Sequence, residues 1–196
     1  SGSTFLFSSI ISSLARERFP FLPLFLGRTL CNGTMWYQGN RLFKGYVHKT
    51  HCLANQFSVK NPCKIIYTFS RPSDSVLSVI TRKEKYGFRW ISEHFHNLQA
   101  KSKYEDLPFS DILRISENLY GWIKKKDVSL LIIRYEKIWE YQSEIEDFLS
   151  LKLNLPKFRE RKKHSIEAEN LKETIRNTYY ELDRAVLKLP DMQIFQ

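Results

Sequence analysis

Glycine, proline and cysteine are all scarce in this chain: 196 residues hold seven, seven and three of them. With so few breakers and 42% hydrophobic residues, the chain has material for one substantial core, and residues 1–196 read as a single domain. There is no internal repeat, low-complexity tract or interdomain linker. Cys31, Cys52 and Cys63 are odd in number and irregular in spacing, which argues against a disulfide scaffold and favours a reducing compartment. Long apolar runs are absent as well. A bilayer-crossing helix needs roughly 20 apolar residues, and the richest run, residues 19–26, is shorter and carries Pro20 and Pro23. The expected location is therefore cytoplasmic, or Golgi-lumenal or membrane-anchored if an anchor preceded Ser1.

Acid is the scarcer charge. Lysine and arginine number 31 against 21 aspartate and glutamate, a net charge of +10, with an isoelectric point near 9.5. Such a surplus suits anionic partners of several kinds: nucleic acid, acidic glycans, membrane headgroups or phosphorylated small molecules. A local cluster, Arg159-Glu160-Arg161-Lys162-Lys163-His164, reads first as a solvated loop between helices.

Four segments carry chemistry. Ser1-Gly2-Ser3-Thr4 is a polar, glycine-bearing turn that runs into the apolar stretch Phe5-Leu6-Phe7 and a predicted helix over residues 4–18. Free backbone amides at a helix start can wrap an anion, although the same four residues also make an ordinary helix cap or linker end. Tyr46-Val47-His48-Lys49-Thr50-His51 reads as a strand end over residues 46–49, where alternation puts Lys49 and His51 on one side and His48 and Thr50 on the other. An ammonium beside His51 disfavours the imidazolium, which suits a proton acceptor near neutral pH. The alternatives are a surface His/Lys cluster or a metal site built from His48, His51 and Cys52; their spacings match no familiar zinc pattern. Cys63 to Ser78 reads as a strand over residues 64–69, a turn at Arg71-Pro72, and a helix over residues 74–85 capped by Ser73 or Asp74. Leu130-Leu131-Ile132-Ile133-Arg134-Tyr135-Glu136 reads as a strand over residues 128–133 followed by a helix over residues 135–151.

These segments together resemble the sulfotransferase family. Ser1-Gly2-Ser3-Thr4-Phe5-Leu6 is similar to its phosphosulfate-binding loop, with Phe5 in place of the usual Trp. The loop's lysine would immediately precede Ser1, so the resemblance implies an N-terminally truncated chain whose first strand lies upstream. Lys49-Thr50-His51 resembles the family's Lys-Thr-His element, whose histidine is the general base. Pro72, Asp74 and Ser78 match its 3′-phosphate element Arg-x-Pro-x-Asp-x-x-x-Ser. Ser70 stands in the arginine position, one residue before Arg71. Arg134-Tyr135-Glu136 and Phe148-Leu149-Ser150 resemble the family's Arg-Tyr-Glu strand end and Phe-Leu-Gly helix end. The C-terminal Arg-Lys-Gly…Gly pattern of the family is missing, and residues 159–163 take its place by position alone.

The resemblance implies an α/β, P-loop-NTPase-like three-layer sandwich with a mainly parallel central sheet flanked by helices. It implies an enzyme that transfers a sulfonate from 3′-phosphoadenosine 5′-phosphosulfate to an acceptor hydroxyl of a carbohydrate, small molecule or lipid, without metal and without nucleic acid. His51 and Lys49 would be catalytic, and Ser1, Gly2, Ser3, Thr4, Arg71, Ser78 and Tyr135 would hold the nucleotide. Two other classes fit the residues less fully: a phosphate-loop nucleotide kinase, for which no Gly-Lys-Ser/Thr is present, and a noncatalytic basic module for RNA or acidic glycan. The remaining reading is an irregular stretch from residue 19 to 41, an aromatic section over 86–107, and helices over 109–124 and 165–189.

Overall fold

The computed structural model describes residues 2–31, 45–58, 62–100, 102–158 and 169–195. Ser1, the basic cluster at 159–164, and the first four residues of the expected last helix lie outside them. The described residues form a mixed helix and sheet protein with two compact units.

The first unit draws on Ser1–Thr68, Lys125–Arg159 and Asp191–Gln196. It holds helices α1 (Gly2–Arg18), α2 (Leu24–Cys31) and α5 (Gln142–Leu149), and strands β1 (Lys64–Phe69), β2 (Ser129–Arg134) and β3 (Met192–Phe195). The sheet order is β1-β2-β3, with β2 antiparallel to β3. Leu130 to Ile133 are all buried, so β2 is covered on both faces as a central strand should be. Leu131 and Ile133 pack with Leu6 and Ile10 of α1 and with Ile145 and Phe148 of α5. Arg134 locks the end of β2 to the start of β3: its amide donates to the Asp191 carbonyl at 2.7 Å and its Nε to the Asp191 carboxylate at 2.6 Å.

The second unit, Phe69–Lys124 and Glu160–Pro190, is helical: α3 (Pro72–Leu98), α4 (Ile115–Lys124), α6 (Glu169–Thr178) and α7 (Tyr180–Leu187). Its core joins Val76, Leu77, Ile80, Ile91 and Leu98 of α3 to Leu107, Ile112, Ile175 and Tyr179. The buried Tyr179 hydroxyl is placed to donate to the carbonyls of Ser110 at 2.6 Å and Leu107 at 3.1 Å. Burial first, and then the Asp111 carboxylate, push its phenol far above the ordinary tyrosine range.

Several elements differ from the sequence reading for identifiable reasons. Within the expected irregular stretch, α2 forms because Gly27 lets it approach α1 closely: a Cβ there would stand 3.1 Å from the Ala15 Cβ. Residues 46–49 make only an isolated bridge at Val47, since this polar run offers little to pack on a sheet. α3 continues to Leu98, across a break at Gly87 with φ 79 and ψ −175. Helix α4 starts at Ile115 rather than 109, where the Asp111 carboxylate accepts the amides of Ile115 and Ser116, both at 2.9 Å. The expected helix over 135–151 is divided into a 3₁₀ turn at Tyr135–Lys137 and α5, and the last one into α6 and α7 at Tyr179. The short strand β3 has no counterpart in the sequence reading.

Candidate functional site

Helix α1 sets the frame of the first unit. Leu6 and Ile10 face the sheet cluster, whereas Phe7, Ile11 and Ala15 pack with Cys31 of α2. Arg16 and Arg18 occupy its last turn, where cations favour the negative end of the helix dipole. At the other end the helix already begins at Gly2, so Gly2, Ser3 and Thr4 of the expected cradle form its first turn, while Ser1 lies outside the described residues. The amides of that turn point out of the helix without intrahelical partners, and they carry its partial positive charge.

Against this positive end stands a second positive group. Lys49 is buried, only 7% exposed, and its Nζ donates to the Thr4 Oγ1 at 3.0 Å. Thus 45 residues of sequence separation close into one contact. Burying an ammonium beside a helix N-terminus works against both solvation and the dipole. The first turn of α1 thus has positive character from its own backbone and from Lys49.

The chain after Lys49 is held by local bonds. The Cys52 amide donates to the Thr50 Oγ1 and the Leu53 amide to the Gln56 Oε1, both at 3.0 Å. His51, half-buried, lies within this braced segment. His48 approaches the Tyr46 ring, with centroids 6.5 Å apart. Burial raises the Cys52 thiol above its ordinary range, so it rests as a thiol. Among the described residues no group of three His, Cys, Asp or Glu side chains is placed to hold a metal ion.

Tyr135 joins the same neighbourhood through aromatic contacts. It meets Trp139 edge-on at 5.8 Å, Trp139 stacks on Phe5 at 4.9 Å, and Phe158 meets Trp139 edge-on at 4.9 Å. The Trp139 indole donates to the Pro156 carbonyl at 2.8 Å. Sequence reasoning missed Trp139 and Phe158, because neither belongs to a motif. Their contacts hold the residue immediately after Thr4.

No family model, curated protein or solved structure matches this chain.

Arg71, Asp74 and Ser78 belong to the second unit, at the start of α3. The expected cap at Ser73 or Asp74 is instead Arg71 with Pro72 at the first helical position, where a fixed φ and a missing amide fit. Ser73 is buried and spent on structure: its amide and hydroxyl donate to the Asp183 carboxylate at 3.0 and 2.6 Å. The Ser70 and Ser75 hydroxyls lie 3.0 Å apart. The Arg71 side chain is exposed and Ser78 half-buried. Seven residues of helix separate them by about 10.5 Å of rise and only about 20° of rotation, so they share one side of α3.

A depression of about 960 Å³ lies elsewhere in the first unit, lined by Ser13, Arg16, Glu146, Asp147 and Leu153 among others. It flanks the C-terminal half of α1, roughly 15 Å along the helix from Thr4. Glu146 accepts hydrogen bonds there from the Gln142 Nε2, the Leu153 amide and the Lys152 Nζ. These donors, Gln142 first, hold its carboxyl down at about 2 against an ordinary 4.5. A depressed pKa contributes stability that is fully present above pH 4.5 and lost as pH falls towards 2. Urea unfolding should accordingly show Glu146→Gln less stable than wild type at pH 7, with the difference shrinking between pH 4.5 and 2. Glu146 braces the turn after α5.

Proposed function

We propose that this chain is a sulfotransferase, moving a sulfonate from 3′-phosphoadenosine 5′-phosphosulfate to an acceptor hydroxyl on a carbohydrate, small molecule or lipid. The observation that carries the reading is the buried Lys49 ammonium donating to Thr4 in the first turn of α1. In the resembling family those two positions belong to the phosphosulfate loop and to the Lys-Thr-His element. A second feature supports the same register. Ser150 closes α5 in the left-handed conformation, φ 55 and ψ 44, where the family has glycine.

On this reading the fold is the P-loop-NTPase-like sandwich. His51 removes the acceptor proton as the oxygen attacks sulfur, and the bond from sulfur to the bridging phosphate oxygen breaks. Lys49 and the amides of Gly2, Ser3 and Thr4 stabilise the charge that develops on the sulfonate and the departing phosphate. Arg71 and Ser78 bind the 3′-phosphate and Tyr135 borders the adenine. The guanidinium suits phosphate oxygens, and its length compensates for its one-residue shift from the family position.

Calorimetry with 3′-phosphoadenosine 5′-phosphate tests this. Wild type should bind, and Arg71→Ala should bind about tenfold or more weakly, the loss expected for one charge-assisted hydrogen bond. Ser78→Ala should lose less. A folded wild-type chain that does not bind would remove the donor assignment, whereas equal binding by all three would remove only the 3′-phosphate role.

A further inference from the structure

Among the described residues, the most exposed apolar surface surrounds α2. Phe21 is 96% exposed and Phe25 68%, with Leu22, Leu24, Leu26 and Leu30 all more than a third exposed. This surface is not an unfinished core. Gly27 and Cys31 are buried on the inner side of α2, and at Gly27 the approach is so close that even a Cβ would press on Ala15. Leu24, Phe25, Leu26 and Leu30 of the helix, with Phe21 and Leu22 just before it, leave six large apolar side chains at least 38% exposed.

The surrounding charge says what would cover them. From Arg18 to Ser73 the sequence has no aspartate or glutamate, against eight lysines and arginines. Arg16, Arg18 and Arg28 stand exposed at the ends of α1 and α2; Glu17 is the single carboxylate beside them in sequence, and Arg16 shares its depression with Glu146 and Asp147, which leaves Arg18 and Arg28 nearest the patch. Arg18 donates to the Gly45 carbonyl at 2.6 Å, which ties the segment after the patch back to α1. An apolar face fringed by arginine complements a surface that is apolar beneath and anionic at its rim. A second copy of the chain would bring the same arginines face to face.

We propose that α2 and the corner at residues 19–22 dock on an anionic lipid bilayer, lying in its surface. Phe21, Phe25 and the leucines enter the acyl boundary while the arginines meet lipid phosphates, the pattern of an interfacial helix. At eight residues α2 is too short to cross a bilayer and can lie only in its surface. The inference stands independently of sulfonate transfer.

Vesicle flotation with the whole chain decides it. The protein should float with phosphatidylcholine vesicles containing roughly a quarter phosphatidylserine, and weakly or not at all with phosphatidylcholine alone. Salt raised to about 0.5 M should weaken the binding by screening. The double variant Phe21→Ser/Phe25→Ser should partition at least about tenfold less, because both side chains leave the acyl boundary. Arg28→Ser should reduce binding only to the anionic vesicles. These side chains are exposed, so circular dichroism of the variants should match wild type. Absence of binding to anionic vesicles, or undiminished binding by the double variant, would overturn the proposal. So would a dimer in sedimentation velocity that the double variant dissolves while vesicles are ignored, since the patch would then belong to a second copy.

Discussion

Lys49→Met should lose sulfonate transfer by about 10²–10³-fold, the scale on which removal of one well-placed electrostatic donor acts. Methionine fills nearly the volume of the lysine stem, so packing around residue 49 is kept while the charge is removed. The stability of the variant decides what Lys49 is for. A lysine kept for catalysis is not one that the fold requires. Its replacement by an apolar side chain should leave the unfolding midpoint unchanged or raise it. If Lys49 were instead a structural tether for Thr4, the same substitution would lower stability while leaving nucleotide affinity as it was. Lys49→Arg is the companion variant: a planar guanidinium cannot take the place of a compact ammonium in a buried site, and it should not restore activity. Transfer assayed with the labelled donor, beside urea unfolding of the same preparations, separates the two outcomes.

Ile133→Ala should destabilise the chain by about 2–5 kcal/mol, the range for removing a buried branched side chain and leaving a cavity. Ile133 is fully buried in the central strand, pairs across to Met192, and shares its cluster with Leu6, Ile10, Ile145 and Phe148. Its neighbours come from two helices and a strand, so no single element can shift to fill the space. A loss this large compares with the whole stability of many small domains. Exposed positions offer the contrast. Phe88, 69% exposed, should change stability by no more than about 0.5 kcal/mol when replaced by serine. Chemical denaturation followed by circular dichroism reads both, and a small effect at Ile133 would show that the cluster does not hold the sheet.

Some of this architecture is legible in residue order alone. The β1 strand has the expected limits and β2 lies one residue from its expected span, because short, nearly continuous runs of aliphatic and aromatic residues between polar flanks leave few alternatives. Helix α1 likewise follows its apolar spacing. Tertiary contacts hide the rest. Helix α2 depends on close approach at Gly27, which has no periodic signature, and the start of α4 is decided by the carboxylate of Asp111. The helix expected to end at residue 85 continues, because apolar spacing resumes beyond Gly87 at Ile91, Phe95 and Leu98. The candidate site is readable as residue types and not as geometry: nothing in the sequence shows that Lys49 meets Thr4, or that Trp139 stacks on Phe5.

The break in α3 is a matter of handedness. A Cβ at residue 87 would meet nothing within 4 Å, so there is room for a larger residue. What forbids one is the sign of φ, which an L-amino acid adopts there only under strain and its mirror image adopts freely. A D-alanine placed at 87 by chemical ligation would preserve the bend that L-alanine would straighten or strain, and the course of this long helix is thereby written in chirality and not in volume.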